Sequence, residues 1–112
     1  MTIKKKKIVI TGGAGFIGST LAARLSYENE IVLFDNMDRN TIQHTDLNTK
    51  PNISLVHGDI LNPSKILNVF ENANIVVHAA AIAGIDTVIK SPVRTMEVNM
   101  IGTANVLRAC RM

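Results

Sequence analysis

The sequence predicts an α/β fold with a parallel, doubly wound sheet, and two observations carry that reading. Short apolar runs alternate along the chain with longer segments of mixed polarity, and the first run is followed by the turn Thr11-Gly12-Gly13-Ala14-Gly15-Phe16-Ile17-Gly18. Runs of this kind suit strands buried on both faces, with helices as the crossovers that parallel strands need. Right-handed crossovers then give the sheet order 3-2-1-4. Hydrophobic residues make up 46% of the 112-residue chain but aromatics only 4%, so the core must be built from Ile, Val, Leu and Ala.

The elements follow in order. Ile8 to Thr11 is the first strand, and Phe16 to about Glu28 is a helix in which Ile17, Leu21 and Leu25 recur every four residues on one face. Ile31 to Phe34 is the second strand. From Asn36 to Asn52 the chain is polar, with one proline at Pro51, and reads as a long connection holding a short helix and as the least ordered region. Ile53 to His57 is the third strand. Asn62-Pro63 then supplies an N-cap and a proline at the first helical position, and Ile66, Leu67 and Phe70 form the buried face of that helix. Ile75 to Ala79 is the fourth strand. A loop through Gly84 and Pro92 leads to a final helix from about Val93, whose Val98, Ile101, Asn105 and Val106 give mixed faces.

This length holds one modest domain and is too short for a second, substrate-binding one. Residues 1–112 therefore read as a single, incomplete domain, its sheet half built and its fourth strand left as an open edge. The net charge of +3 comes from Lys4, Lys5, Lys6 and Lys7, and the remainder is close to neutral. With no other basic cluster and no interleaved aromatics, nucleic-acid and membrane partners are excluded. Cys110 is the only cysteine, which rules out an intrachain disulfide and fits a reduced cytoplasmic setting. Ile8 to Ile10 is too short for the apolar region of a signal peptide, and Ile75 to Ile85 is broken by His78 and Gly84.

Chemistry concentrates at the strand ends. Gly12, Gly15 and Gly18 lie between a strand and a helix, where glycine allows a tight turn and lets amides at the helix N-terminus point at a pyrophosphate. Asp35 ends the second strand twenty residues after Gly15, the spacing of the carboxylate that accepts hydrogen bonds from an adenosine ribose and repels a 2′-phosphate. NAD is therefore favoured over NADP. Arg39 is the contrary signal, as an arginine able to pair with that phosphate or as an exposed loop charge. Asp59-Ile60 follows the third strand, where the carboxylate either reads an adenine amino group, with Ile60 packed on the ring, or caps a turn after Gly58. His78 ends the fourth strand and reads as a structural residue satisfying a local hydrogen bond, while His44 and His57 have still less context. No His, Cys and Asp cluster has metal-ligand spacing, so no metal is expected.

Taken in order, Thr11 to Gly18, Asp35-Asn36, Gly58-Asp59-Ile60, His78-Ala79-Ala80-Ala81 and Val98-Asn99-Met100-Ile101-Gly102-Thr103 resemble the N-terminal part of an extended short-chain dehydrogenase/reductase. The resemblance is to the NAD-dependent nucleotide-sugar epimerases and dehydratases, which are Rossmann-type proteins, and it covers almost the whole chain. It implies that Gly12, Gly15, Phe16, Ile17 and Gly18 approach the pyrophosphate, Asp35 and Asn36 the adenosine ribose, and Asp59 and Ile60 the adenine. It also implies that Ala79, Ala80 and Ala81 flank the nicotinamide half. Asn99 matches an asparagine that supports proton-relay geometry in this superfamily, and a helix residue bonding a nearby backbone carbonyl is the equal alternative.

One departure matters. Such enzymes oxidise a sugar hydroxyl with a Tyr-x-x-x-Lys pair, whereas the only tyrosine here, Tyr27, lies in the first helix and has Ile31 four residues on. The expectation is therefore an NAD-binding segment with no catalytic residue and no activity of its own, the nucleotide sugar being a ligand of the complete enzyme alone. An NAD-sensing module and a non-functional fragment are the rival readings. The resemblance further implies a homo-oligomer formed through helices that include the last one.

Overall fold

The computed structural model describes residues 2–38, 40 and 42–112, excepting the side chains of His44 and Asn48. Four parallel strands form one sheet: β1 (Lys7–Thr11), β2 (Glu30–Asp35), β3 (Ile53–His57) and β4 (Ile75–His78), in the order β3-β2-β1-β4. Ile8 pairs with Ile31 on one side and with Ile75 on the other, and Ile31 pairs in turn with Ile53. The order 3-2-1-4 read from the alternating pattern is the order observed, with β4 at an edge.

Helix α1 (Phe16–Leu25) covers one face of the sheet, while α2 (Pro63–Phe70) and α5 (Gly102–Arg111) pack together against the other. Strand alternation divides the core in two. Ile8, Ile10, Ile31, Leu33 and Ile53 face α1 and two single 3-10 turns, Ile42–His44 and Leu47–Thr49, whose Ile42 and Leu47 are buried. Val9, Val32 and Phe34 face Ile66 and Phe70 of α2 and Val106 and Ala109 of α5. Each fully buried branched aliphatic contributes about 1.5–3 kcal/mol, so the three-residue centre of β1 anchors both layers.

Several local expectations change. α1 stops at Leu25, and Ile17 points into solvent at 73% exposure, because the helix meets the sheet through the small residues Gly18, Ser19 and Ala22. On α2, Asn62 caps the helix by accepting from the Lys65 amide at 3.2 Å, and Ile66 and Phe70 are buried, but Leu67 is exposed. β4 ends at His78, which frees Ala79 for the loop beyond it. That loop is shorter than expected, since α3 (Ile85–Lys90) forms within it and α4 (Pro92–Met96) follows. Between α4 and α5, residues Glu97–Ile101 make a π-helical turn, and Ile101 is exposed.

Candidate functional site

The C-terminal ends of all four strands open into one cleft of about 430 Å³. Open α/β sheets bind ligands at this edge, where the connections diverge to opposite faces. Gly12 and Gly15 arrive from β1, Asp35 and Asn36 from β2, Asp59 and Ile60 after β3, and Ala79, Ala80 and Ala81 after β4. Phe16, Ile17 and Gly18 stand outside the lining, the side chains of Phe16 and Ile17 being exposed.

The three glycines answer to different constraints. Gly12 has φ +70°, and a Cβ there would sit 2.8 Å from the Ala80 amide nitrogen, so the turn can pass β4 only as glycine. At Gly18 a Cβ would run into Gly12 O and lie 2.9 Å from Gly13 Cα. Gly15 differs. Its backbone is ordinary, at φ −79° and ψ 176°, and a Cβ there would meet only Gly12 O, at 3.3 Å. Packing asks less for glycine here than at Gly12 or Gly18, since that one oxygen would have to give by only a few tenths of an ångström, and the position borders the cleft. The amides of the first turn of α1 have no carbonyl within the helix to donate to, which leaves a positive helix terminus beside that space.

Asp35 is buried at the end of β2, and backbone amides hold both of its oxygens. Oδ2 accepts from Ala14 at 2.9 Å and Oδ1 from Met37 at 2.7 Å. The carboxylate thereby ties the glycine turn to the end of β2 and keeps further lone pairs for a ligand. Asn36 accepts from the Asp38 amide at 3.0 Å and donates to the Asp38 carboxylate at 3.2 Å, and its carbonyl accepts from His57 Nε2 at 3.0 Å. Asp59 Oδ1 accepts from the Leu61 amide at 2.9 Å in a side-chain-capped turn, while Oδ2 lies 3.6 Å from Arg94 Nη2. Arg39 lies outside the described residues, as does the side chain of His44.

The loop after β4 is held by the Ala79 amide, which donates to the Thr11 carbonyl at 3.1 Å, and by two side chains. Thr11 Oγ1 accepts from the Ala80 amide at 3.2 Å. Asn99, in the π-helical turn, accepts from the Ile82 amide at 2.8 Å and donates to the Ile82 carbonyl at 3.0 Å. π-turns are often found at functional sites, and here the turn carries the one side chain that grips Ile82 on both backbone groups. His78 hydrogen-bonds on both ring nitrogens, Nδ1 lying 2.6 Å from Thr11 Oγ1 and Nε2 3.1 Å from Thr103 Oγ1. Burial pushes its pKa below 6.5. The structural reading of this histidine agrees with these bonds.

A sequence profile of the NAD dependent epimerase/dehydratase family matches residues 8–112. The chain belongs to that family. Among curated members, it is 36% identical over 112 residues to a CDP-paratose 2-epimerase of Salmonella typhi, covering 94% of this chain and 32% of that protein. A dTDP-D-glucose 4,6-dehydratase of Dictyostelium discoideum is 35% identical, over 95% of this chain and 26% of its own. Of the solved structures, the epimerase Mth375 of Methanothermobacter thermautotrophicus superposes with a TM-score of 0.87 at 30% identity, over 95% of this chain and 32% of that one. A Thermus thermophilus UDP-glucose 4-epimerase in complex with NAD gives 0.79 at 29% identity, over 94% and 33%. This family member thus spans between a quarter and a third of the length of these relatives. No helix among its described residues is long and apolar enough to cross a membrane.

The far wall of the cleft escaped the sequence reading. Thr87 on α3, Ser91 at the start of α4, Arg94 on α4 and Val98 in the π-helical turn all face it. Their spacing of four, three and four residues is that of a single helical face, a signal present in the sequence but masked by Pro92 in its middle.

Proposed function

We propose that this chain is the NAD-binding portion of a nucleotide-sugar epimerase or dehydratase, holding the dinucleotide along the C-terminal edge of the sheet. The observation that carries the reading is Gly15: its backbone conformation is ordinary and a single backbone oxygen crowds a Cβ there, yet the position is glycine and it borders the cleft. A ligand lying against the backbone explains that choice, and the adjoining helix terminus fits an anionic pyrophosphate. Bound NAD supplies a hydride acceptor. The chain's own residues bind and orient it: the turn amides at the pyrophosphate, Asp35 and Asn36 at the adenosine ribose, Asp59 and Ile60 at the adenine, and the alanines flanking the nicotinamide half. The small side chains of Ala79, Ala80 and Ala81 leave room for close approach. Ser91 and Thr87 add hydroxyls to the opposite wall.

Hydride transfer from a sugar needs a base, and Tyr27 is not it. It lies just past the end of α1, with its side chain 83% exposed and the Lys50 ammonium 5.7 Å from its ring. The 112 residues taken alone bind cofactor without turning over a nucleotide sugar. The single cysteine agrees with a reduced, cytoplasmic setting.

Titration calorimetry of the chain with NAD and with NADP tests this. Binding of NAD in preference to NADP is expected. Asp35→Asn should weaken NAD roughly tenfold or more, the worth of a hydrogen bond to a charged group, while narrowing the gap to NADP because the repulsion of a 2′-phosphate is gone. A chain that binds neither dinucleotide, or an Asp35→Asn variant with the unaltered preference, overturns the reading.

A further inference from the structure

Hydrogen-bond directions around His78 can be worked out from the donors and acceptors available. Thr103 Oγ1 donates its one proton to the Asn99 carbonyl at 2.6 Å, so toward His78 Nε2 it can only accept, and Nε2 must carry a hydrogen. In a neutral imidazole Nδ1 is then bare and accepts the Thr11 hydroxyl proton at 2.6 Å. Thr11 Oγ1 in turn accepts from the Ala80 amide. The chain has one sense throughout, from the Ala80 amide through Thr11, His78 and Thr103 to Asn99, whose side chain holds Ile82. Both side-chain anchors of the loop beyond β4 therefore connect through one ring, which joins β1, β4 and the start of α5.

We propose that His78, as the neutral Nε2–H tautomer, is the positioning residue of the loop from Ala79 to Ala83, coupling its Ala80 anchor to its Ile82 anchor. That this loop faces a dinucleotide rests on the function proposed above; the coupling does not. Burial lowers the pKa of His78, and both hydrogen-bond partners of its ring are neutral hydroxyls, an environment that suits the uncharged imidazole. Reversing the tautomer would take away the acceptor of the Thr11 hydroxyl proton and leave a bare Nε2 facing a hydroxyl whose proton is committed to Asn99.

The test uses the 112-residue chain without ligand. Two-bond proton–nitrogen spectra of the imidazoles should show His78 with Nε2 protonated and Nδ1 bare. Thr103→Val keeps the shape and removes the acceptor of Nε2–H. It is expected to mix the His78 tautomers and to speed hydrogen exchange at Ala80, a residue with which Thr103 shares no hydrogen bond, about three- to tenfold relative to Val9, the factor a net hydrogen bond is worth. Thr103→Ser restores the hydroxyl and should restore both readings. A wild-type His78 protonated at Nδ1, or a Thr103→Val chain whose tautomer and relative Ala80 exchange are unchanged, overturns the proposal. Failure of NAD to bind would count against the cofactor reading alone and leave these spectra as they are.

Discussion

Gly102 and Ile60 pack with no space between them. A Cβ at Gly102 would lie 2.8 Å from Ile60 Cγ1 and closer still to its Cδ1. Ile60 is 5% exposed and lines the cleft, so the glycine that begins α5 sets how far that side chain stands back from the site. Gly102→Ala should cost about 1–3 kcal/mol through overpacking and press Ile60 toward the cleft. Urea denaturation reads the first effect and NAD titration the second, and both should respond in the same variant.

The glycines of the turn should separate by what they affect. Gly15→Ala is expected to cost about 1 kcal/mol of stability, in the range of losing a good helix N-cap residue, and to weaken dinucleotide binding severely. Gly12→Ala must place a Cβ at positive φ and against the Ala79–Ala80 backbone, so strain of about 1–3 kcal/mol adds to the clash and the fold itself should fail. Equal loss of stability in the two variants, read by thermal unfolding, would contradict the distinction.

His78 gives the stability a pH dependence whose sign is fixed. Burial depresses its folded pKa below the 6.5 of the unfolded chain, so the unfolded state takes up a proton first as pH falls. Its contribution is complete above about pH 6.5 and is lost as pH drops through the lower, folded value. Urea midpoints measured across this range should decline toward acid, and His78→Asn should flatten that decline.

Asn62→Ala offers a control away from the cleft. It removes the cap on the Lys65 amide and should destabilise by about 1 kcal/mol while leaving dinucleotide affinity unchanged. Calorimetric titration of the variant checks the second half of that statement.

Much of the fold was legible because its strands are short, apolar at their centres and bounded by clear turns. Ile53 to His57 matched to the residue, and Asp35, Asp59 and Ala79 to Ala81 fell at strand ends because the strands themselves were placed correctly. Helix α3 carries no apolar period to mark it, since none of its six residues is buried. Ile17 misled for the opposite reason: four-residue periodicity was present, but the close approach of α1 to the sheet selects small side chains for the contact. The grip of Asn99 on Ile82 was invisible because it pairs residues seventeen apart that meet only in the folded chain. The bonds on His78 were hidden likewise, since Thr11 and Thr103 meet only after folding.

The two amide bonds accepted by Asp35 have a thermodynamic corollary. The bond from Ala14 holds the glycine turn, and that from Met37 the start of the connection after β2, before any ligand arrives, so little conformational entropy remains to be lost there on association. Recognition at that end is then closer to docking on a rigid surface than to coupled ordering, and its heat-capacity change should reflect buried apolar area rather than a folding segment.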